Sequence, residues 1–322
     1  MRREQRATIL DVAARAGVHA ATVSRTINVP EKVAPETRRR VEEAVRELGF
    51  VPNRAARGLI TGRTGQVAAI VPDITNPHFA SLVRSVERSA RQSDLQVLLV
   101  DTSEHPDEEV RAAESLYREV DGFIIVSPRR LHRALPALGS TPAVFVNRPV
   151  RQHACILLRT APAVADALQH LAGLGHTRLA YLGGPSGSWA AAERRTAVRS
   201  IAGVSGVEVL EFGVGEPTFE ATATVVADIV ASGVSAVLAF NDQMALGVMA
   251  GLTTRGISVP HDLSVVGFDD VPMAAMVAPP LTTISLPAGE VGAVAVAMLT
   301  EGPSTKDLFG EFVLRESTAR AR

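Results

Sequence analysis

The sequence has few of the residues and motifs that carry covalent, redox or metal chemistry. It contains one cysteine, Cys155, which excludes an intrachain disulfide and agrees with a reducing compartment. Its 8 histidines show no metal-ligand spacing such as H-E-x-x-H, and no G-x-S-x-G nucleophile motif occurs. The glycine-rich stretch at 183–187 lacks the G-x-G-x-x-G spacing, and Pro185 offers no amide to a phosphate. Nothing specific therefore indicates an enzyme, a cofactor or a bound metal.

Long apolar runs are also missing. No stretch approaches the roughly 20 apolar residues of a membrane span. The first residues, MRREQRATILDVAARAG, lack the apolar run and small-residue cleavage site of an export signal. We therefore expect a soluble, cytoplasmic protein that does not enter a membrane.

Three short amphipathic helices are predicted in the first 50 residues. Apolar residues recur at helical spacing on one face in 9–16, in 20–27 and in 41–48. Gly17 ends the first helix because glycine adopts the left-handed conformation at little steric cost. Pro35 suits the first position of the third helix. Two short helices meeting at a turn are typical of a helix-turn-helix, with 19–28 as the helix that reads DNA. The alternative is an ordinary three-helix capping subdomain.

Charge favours the DNA-binding interpretation. Residues 1–63 contain 13 Arg and Lys against 7 Asp and Glu, a net charge of +6, whereas the whole chain carries -1 and the remainder therefore -7. A basic segment on an acidic body indicates a polyanionic partner. An alternative interpretation of Arg38, Arg39 and Arg40 is a solvated helix face, because consecutive residues of a helix point in different directions.

The rest of the chain alternates short apolar runs with helical patterns, which predicts parallel sheets. These runs are apolar throughout, as expected of strands covered by helices on both faces. They are VAAIV (67–71), VLLV (97–100), FIIV (123–126), AVFV (143–146), LAYL (179–182), AVLAF (236–240) and LSVVGF (263–268).

Several segments resemble the lactose-repressor (LacI/GalR) family of bacterial transcription regulators. The N-terminal match covers TILDVAARAGVHAATVSRTIN and VAPETRRRVEEAVRELGFVPNRAARGL. The body matches in LGHTRLAYLGGP, NDQMALG, LSVVGFDD and PPLTTI, so the resemblance extends over nearly the whole chain. It implies an α/β protein with a helix-turn-helix head and a two-lobed, doubly wound core of the periplasmic-binding-protein type I fold.

The resemblance also implies domain boundaries. The head is expected at 1–50, a hinge helix or linker at 51–63 and the effector-binding and dimerisation core at 64–322. Within the core, crossings near 157–161, 284–288 and 311–315 divide an N-lobe (64–158 and 287–312) from a C-lobe (159–286 and 313–322).

The DNA contacts implied by the resemblance lie in the head and the hinge. The chain departs from the family at His19, a poorer N-cap than serine, and at Ala34, where a capping serine is common. Ala20 and Ala21 offer only methyl contacts to bases, so we expect Ser24, Arg25 and Asn28 to carry more of the direct readout. The full predicted set is Thr8, His19, Ala20, Ala21, Thr22, Ser24, Arg25, Asn28, Lys32, Thr37, Asn53, Arg54, Ala56 and Leu59.

In the hinge, Leu59 is expected to insert into a central base step of the minor groove. An isolated helix this short is marginal in water, and Gly58 weakens it by roughly 1 kcal/mol relative to alanine. The resemblance implies that it folds only on DNA, where an apolar wedge bends the duplex onto more protein surface. The alternative is a linker leucine packed on the core.

Effector contacts are expected where polar residues follow the predicted strands, because ligands bind beyond the carboxyl ends of parallel strands. Amides, carboxylates and an arginine fork suit the hydroxyls of a sugar. Asp242 and Asp270 are equally explained as helix-capping acids, and Trp189 either stacks on a ring or simply packs. The resemblance implies that Arg194 contacts the sugar, that Asp269 binds its hydroxyls and that Trp189 lies near the mouth of the cleft. The full predicted set is Asp73, Asn76, Phe79, Asn147, Arg148, Arg159, Trp189, Arg194, Asn241 and Asp269.

Arg159 leads to a hypothesis about the ligand. It stands where the family often carries an Asp-Asn pair, and a cation there favours a phosphorylated or acidic sugar. The predicted partners are thus a pseudo-palindromic double-stranded operator, a second copy of the chain, and a sugar, sugar phosphate or polyol. The chain ends without a leucine-heptad tail, so a homodimer is expected. The alternative is a solute-binding protein with the same core.

Overall fold

The computed structural model describes residues 7–50 and 63–322. They form two compact units, one up to Thr64 and one from Gly65 to Arg322. The predicted hinge contacts Asn53, Arg54, Ala56 and Leu59 lie outside the described residues, as does the side chain of Asn28.

Within residues 7–50, the first unit forms three α-helices: α1 (Ile9–Ala16), α2 (Ala20–Asn28) and α3 (Pro35–Glu47). Gly17 ends α1 at φ 66° and ψ 41°, the left-handed conformation that its position in the sequence predicts. The helices share a small core built from Val12, Ala13, Ala16, Val23, Val41 and Ala44. Leu48, predicted to continue the apolar stripe of α3, is instead 37% exposed, and Phe50 packs against the core after the turn at Gly49.

The second unit is built on two six-stranded sheets, with the strand orders β11-β5-β4-β3-β1-β2 and β12-β10-β9-β8-β6-β7. The strands are β1 (Gln66–Val71), β2 (Gln96–Asp101), β3 (Gly122–Val126), β4 (Ala143–Val146), β5 (Ala154–Arg159), β6 (Arg178–Gly183), β7 (Glu208–Gly213), β8 (Ala236–Ala239), β9 (Ser264–Asp269), β10 (Thr282–Ser285), β11 (Thr305–Phe309) and β12 (Glu311–Val313). The helices are α4 (Pro77–Gln92), α5 (Pro106–Leu116), α6 (Leu131–Ala137), α7 (Ala161–Gly173), α8 (Trp189–Ser205), α9 (Val226–Ala231), α10 (Asp242–Thr253) and α11 (Ala288–Glu301).

Each sheet is the centre of one lobe, with apolar clusters on both of its faces. The pairings are parallel except for β10 with β12. Helix α11 returns to the N-lobe and packs tightly on α4, where a side chain at Gly292 would collide with the Ser85 backbone. Strand β2 was expected to be covered by helices on both faces. It is instead an edge strand, and its Leu99 is 44% exposed.

The chain passes between the lobes three times, after Arg159, after Ser285 and at Gly310. The third crossing lies before the segment 311–315 where it was expected, and the N-lobe therefore ends before residue 312. Residues 311–313 form β12, in which Phe312 pairs with Ile284 of the C-lobe. The backbone therefore has already entered the C-lobe sheet by residue 311.

Candidate effector cleft and DNA-reading head

The loops at the carboxyl ends of the strands from both lobes line one cleft. The N-lobe contributes Pro72, Asp73, Asn76, His78, Phe79, Glu104, Ser127, Arg129 and Asn147, and the C-lobe contributes Pro185, Ser188, Ala190, Arg194, Pro217, Phe240, Asn241 and Asp269. This is the place that the topology of parallel sheets predicts for a ligand.

A buried ion pair forms the C-lobe wall of the cleft. Arg194 Nη2 lies 3.2 Å from Asp269 Oδ1, and both side chains are 5% exposed. The Arg194 guanidinium also donates to the Phe240 carbonyl and lies between the rings of Phe240 and Phe268, 4.7 and 4.4 Å from their centroids. These contacts fix the plane of the guanidinium, so it presents its remaining N–H groups in a fixed direction.

His78 faces this pair from the N-lobe. Its Nδ1 lies 4.0 Å from Asp269 Oδ1. Burial lowers the pKa of His78, and the charge of Asp269 offsets this only in part, so the ring is neutral at pH 7. Within the described part of the chain, His78 Nδ1 and Arg194 Nε are buried without a hydrogen-bond partner. Unsatisfied buried groups are rare in proteins, and a ligand in the cleft would supply their partners.

A second ion pair forms the N-lobe wall. Glu104 Oε2 contacts Arg129 Nη2, and the two side chains are 26% and 17% exposed. Burial lowers the pKa of Arg129, which means that its charge costs free energy unless a carboxylate compensates it. Each of these two arginines in the cleft therefore has an acidic partner from its own lobe.

The predicted asparagines have part of their hydrogen-bonding capacity committed to the fold. The Oδ1 atoms of Asn76, Asn147 and Asn241 accept the backbone N–H groups of His78, Leu158 and Met244 at 3.0, 3.1 and 2.9 Å. Asn241 Nδ2 also donates to the Pro217 carbonyl at 2.9 Å. Asn241 therefore positions a loop of the cleft, whereas Asn76 and Asn147 have their Nδ2 groups to offer a ligand.

Strained backbone is concentrated around the cleft. Glu104, Ser127, Asn147 and Asp269 all have positive φ, at 61°, 49°, 55° and 102°. Such conformations cost roughly 1–3 kcal/mol each in residues other than glycine and tend to occur at functional sites. The positions of these four side chains are thus set by the surrounding structure rather than by local preference.

Seven of the ten predicted effector contacts line the cleft, and Arg148, Arg159 and Trp189 do not. Arg159 instead pairs with Glu193 and Asp307, each at 3.1 Å, and its guanidinium lies 5.8 Å from the centroid of the Trp189 ring. The anionic-ligand hypothesis therefore loses its basis, because the charge of Arg159 is compensated by two carboxylates outside the cleft. Arg148 acts electrostatically on Glu109.

Asp242 and Asp270 were alternatively explained as helix-capping acids, but neither side chain caps a helix. Asp242 is fully buried and accepts hydrogen bonds from Val271 N at 2.8 Å and Thr283 Oγ1 at 2.6 Å. Asp270 pairs with Arg315 at 2.5 Å. Asn241 caps α10 instead.

Sequence reasoning missed Glu104, Ser127, Arg129, His78 and Phe240. The signal was present, because Glu104 and Ser127 follow β2 and β3 just as Asp73 follows β1. The predicted contacts that follow strands come only after β1, β4, β8 and β9, whereas the loops after β2 and β3 also contribute polar residues to the cleft.

In the head, α2 has an exposed face on the side of the predicted DNA contacts. His19, Ala21 and Arg25 are exposed, and Ala20, Thr22 and Ser24 are half-buried. Thr8 is engaged in the α1 capping box, where Asp11 Oδ2 accepts from both Thr8 N and Thr8 Oγ1. Lys32 is exposed and Thr37 is half-buried. Arg38 and Arg39 lie within 3.9 and 3.8 Å of Glu42 and Glu43, as on a solvated helix face.

Other kinds of site find no support in residues 7–50 and 63–322. No group of three or more His, Cys, Asp or Glu is placed there to hold a metal ion. Across those two ranges, no helix has the length and apolar character that crossing a bilayer requires.

Comparison with known proteins identifies the family. The profile of "Bacterial regulatory proteins, lacI family" matches residues 8–53, and that of "Periplasmic binding protein-like domain" matches residues 168–318. Catabolite control protein A of Priestia megaterium is 32% identical over 307 residues, which cover 91% of this chain and 92% of that protein. The chain therefore belongs to the lacI family of bacterial regulatory proteins.

Solved structures agree with this assignment. The lac repressor dimer bound to operator and the anti-inducer ONPF matches with a TM-score of 0.88 and 27% identity, covering 98% of this chain and 100% of that one. A complex of the transcriptional regulator CelR with cellobiose matches with a TM-score of 0.70 and 30% identity, covering 97% and 100%. The predicted family and fold are confirmed, and the head distinguishes this chain from a solute-binding protein made of the core alone.

Proposed function

We propose that this protein is a transcriptional repressor that binds a pseudo-palindromic operator as a homodimer and responds to a small sugar. The observation that carries the proposal is the presence, in one chain, of a basic three-helix head and a two-lobed core with a polar cleft. A homodimer follows from the symmetry of such operators. The lac repressor structure described above is a dimer on its operator.

On DNA, α2 enters the major groove with its exposed face toward the bases. Arg25 is the long, charged side chain on that face, and an arginine fork recognises guanine by two hydrogen bonds. Ala20 and Ala21 contribute methyl contacts, and Ser24 and Asn28 share the base readout. His19 and Lys32 contact phosphates, and Leu59 of the hinge opens the central base step.

The effector is a neutral, polyhydroxylated ligand. Arg194 and Asp269 present a fixed pattern of donors and acceptors, and His78 adds a neutral imidazole. Asn76, Asn147 and Asp73 add hydrogen-bonding groups, and Phe79 and Phe240 offer apolar ring surface for the C–H faces of a sugar. Because Arg129 and Arg194 are both paired with carboxylates, an anionic group finds no uncompensated cation among the described residues that line the cleft.

Control of DNA binding depends on the two lobes. An effector regulates only if it binds the DNA-competent arrangement and the alternative arrangement with different affinities. We place no catalytic step in this cleft, since its residues bind and orient. The protein acts in the cytoplasm, where bacterial DNA is found.

DNA selection tests the first half of the proposal. Random duplexes enriched by the wild-type protein should yield a palindrome, and Arg25→Ala should relax its sequence more than Ala20→Gly or Ala21→Gly. Affinity should fall steeply between 50 and 200 mM salt, by roughly 10³-fold if about six phosphates are contacted. A selection that returns no common sequence would contradict the proposal.

A thermal-shift panel tests the second half. Neutral sugars, sugar phosphates, polyols and nucleobases are added to the full-length protein, since a ligand at 100 times its dissociation constant stabilises the folded state by about 2.7 kcal/mol. Neutral sugars or polyols should give the hits, and each hit should change operator affinity. His78→Ala should weaken the hit, whereas Glu108→Gln, on the exposed face of α5, should not. Hits confined to nucleobases would overturn the effector class.

A further inference from the structure

The N-lobe ion pair suggests a specific role in ligand selection, which rests on the function proposed above. We propose that Glu104 acts as an anion filter: its carboxylate occupies the Arg129 guanidinium, so the cleft rejects phosphorylated and acidic sugars and accepts neutral ones. Glu104 is then a specificity-determining residue, and its removal converts the N-lobe wall into an anion site.

The first step of the argument is that Glu104 is held in place. It follows β2 in the left-handed conformation, with φ 61°, and its backbone N–H donates to the Pro72 carbonyl at 2.6 Å. Its neighbours add hydrogen bonds from Thr102 N to the Val71 carbonyl at 3.0 Å and from His105 N to the Thr102 carbonyl at 2.8 Å. The loop therefore delivers this carboxylate to the cleft wall without needing a ligand.

The second step is that Arg129 is equally fixed. Its backbone N–H lies 3.2 and 3.1 Å from the two carboxylate oxygens of Glu109, and Arg130 N donates to the same carboxylate at 3.3 Å. Glu109 is itself buried, at 6% exposure, so the loop after β3 is anchored to α5. The Arg129 side chain is held separately: its Nη2 contacts the Glu104 carboxylate, and its Nη1 donates to the Glu104 carbonyl at 3.5 Å.

The third step concerns the other charges near the cleft. Arg194 is committed to Asp269 in the opposite lobe, and Asp73 Oδ1 accepts hydrogen bonds from Thr75 N at 2.8 Å and Thr75 Oγ1 at 2.6 Å. Of the two arginines that line the cleft, Arg129 is therefore the one whose positive charge is balanced by Glu104, in the loop after β2. If that carboxylate becomes neutral, a half-buried guanidinium faces the cleft, and a phosphate or carboxylate is the group that pairs with it most favourably.

Inorganic phosphate is the probe, because it requires no knowledge of the natural effector. Glu104→Gln and Glu104→Ser are prepared in the full chain and compared with wild type by thermal shift, in chloride buffers of matched ionic strength. We expect 10 mM phosphate to raise the melting temperature of both variants by about 3 °C more than that of wild type. Glucose 6-phosphate should bind both at least tenfold more tightly than it binds wild type.

Two controls isolate Arg129. Glu108→Gln removes a carboxylate from the same segment but from an exposed pair with Arg111, so its phosphate response should equal that of wild type. The double variant Glu104→Gln/Arg129→Gln should lose the gain. The proposal is overturned if both Glu104 variants respond like wild type, if Glu108→Gln responds equally, or if the double variant keeps the gain.

The neutral-sugar panel keeps the two proposals distinguishable. If wild type binds a neutral sugar but the Glu104 variants gain no phosphate response, the filter is wrong and the proposed function stands. If the variants gain the response but wild type binds no sugar, the filter stands and the proposed effector class is wrong.

Discussion

At the scale of single residues, the cleft is organised around buried charges that are matched within the protein. Asp269 pairs with Arg194 and lies 4.0 Å from His78, so this carboxylate holds a C-lobe arginine and faces an N-lobe imidazole. A buried ion pair is not a strong source of stability, because desolvation offsets the attraction between its members. The pair fixes the direction of the donors and acceptors that Arg194 and Asp269 place in the cleft wall.

Removing one member of this ion pair should lower the free energy of unfolding more than removing both members. We expect Arg194→Met to lower the free energy of unfolding by about 3–5 kcal/mol, because it leaves the Asp269 carboxylate buried without a partner. Arg194→Met/Asp269→Asn should recover part of that loss. Chemical denaturation of the three proteins measures both effects. A double variant less stable than Arg194→Met would show that the uncompensated charge is not the cause.

Asp242 should give the protein a specific pH dependence. Burial, reinforced by the charge of Asp269, raises the pKa of Asp242 from 3.8 to about 8, although the hydrogen bonds from Thr283 and Val271 lower it. The folded state therefore binds a proton between about pH 4 and pH 8 that the unfolded state has released, and the stability it confers is lost as the pH rises through this window, by about 1.4 kcal/mol per pH unit.

The comparison with Asp242→Asn isolates this effect. An amide at position 242 does not ionise. Its oxygen can accept from Val271 N, and its Nδ2 can donate to Thr283 Oγ1 with the direction of that bond reversed. The stability of wild type should therefore fall relative to the variant as the pH rises from 5 to 8. Denaturation curves at each pH measure the difference. Parallel pH profiles would rule out a raised pKa at Asp242.

At the scale of elements, the three head helices begin in different ways. Thr8 caps α1 through a reciprocal capping box with Asp11, whereas His19 and Ala34, which precede α2 and α3, make no side-chain capping hydrogen bond. Each uncapped terminus leaves backbone N–H groups to water. The stability of the head is therefore distributed unevenly over its helices.

Capping variants should reveal this difference. Thr8→Ala should destabilise α1, and Ala34→Ser should stabilise α3, each by about 1 kcal/mol, because a hydroxyl at the N-cap satisfies one backbone N–H. Hydrogen exchange of the α1 and α3 amides in the full chain measures the two changes. Faster exchange in α3 of Ala34→Ser would mean that the backbone at residue 34 does not admit the cap.

Sequence patterns predicted elements best where burial is complete. The seven predicted strands correspond to β1, β2, β3, β4, β6, β8 and β9. Strands β7, β11 and β12 were missed because they are edge strands with partly exposed side chains. Strand β10 was missed because its sequence, TTIS, has one apolar residue, although its two threonines are buried. Strand β5 was also missed, although its ACILL run is as apolar as the others.

At the scale of the whole molecule, Arg159 links the lobes where the chain first crosses. It ends β5 and pairs with Asp307 of β11 in the N-lobe and with Glu193 of α8 in the C-lobe. These two ion pairs join the lobes in the arrangement seen here. Arg159 therefore connects the two lobes at the first crossing.

Arg159→Ala should change affinity without changing selectivity. Loss of the two ion pairs shifts the population of lobe arrangements, so the affinities for neutral and anionic ligands should change by the same few-fold factor. Isothermal titration measures both factors, with a neutral sugar in the wild-type background and with its phosphate in the Glu104→Gln background, each with and without Arg159→Ala. A selective loss for the phosphorylated ligand would instead restore Arg159 as a direct contact.

The sequence by itself determined the helices of the head, most buried strands and the family, because these depend on local periodicity and on contiguous motifs. It also located seven lining residues, among them Arg194 and Asp269. Only the tertiary structure decided which arginines face the cleft. Arg129 lines it and Arg159 does not, because Arg159 meets Asp307, 148 positions later in the chain. Pairing over such separations is set by how the two sheets are assembled, which no local pattern specifies.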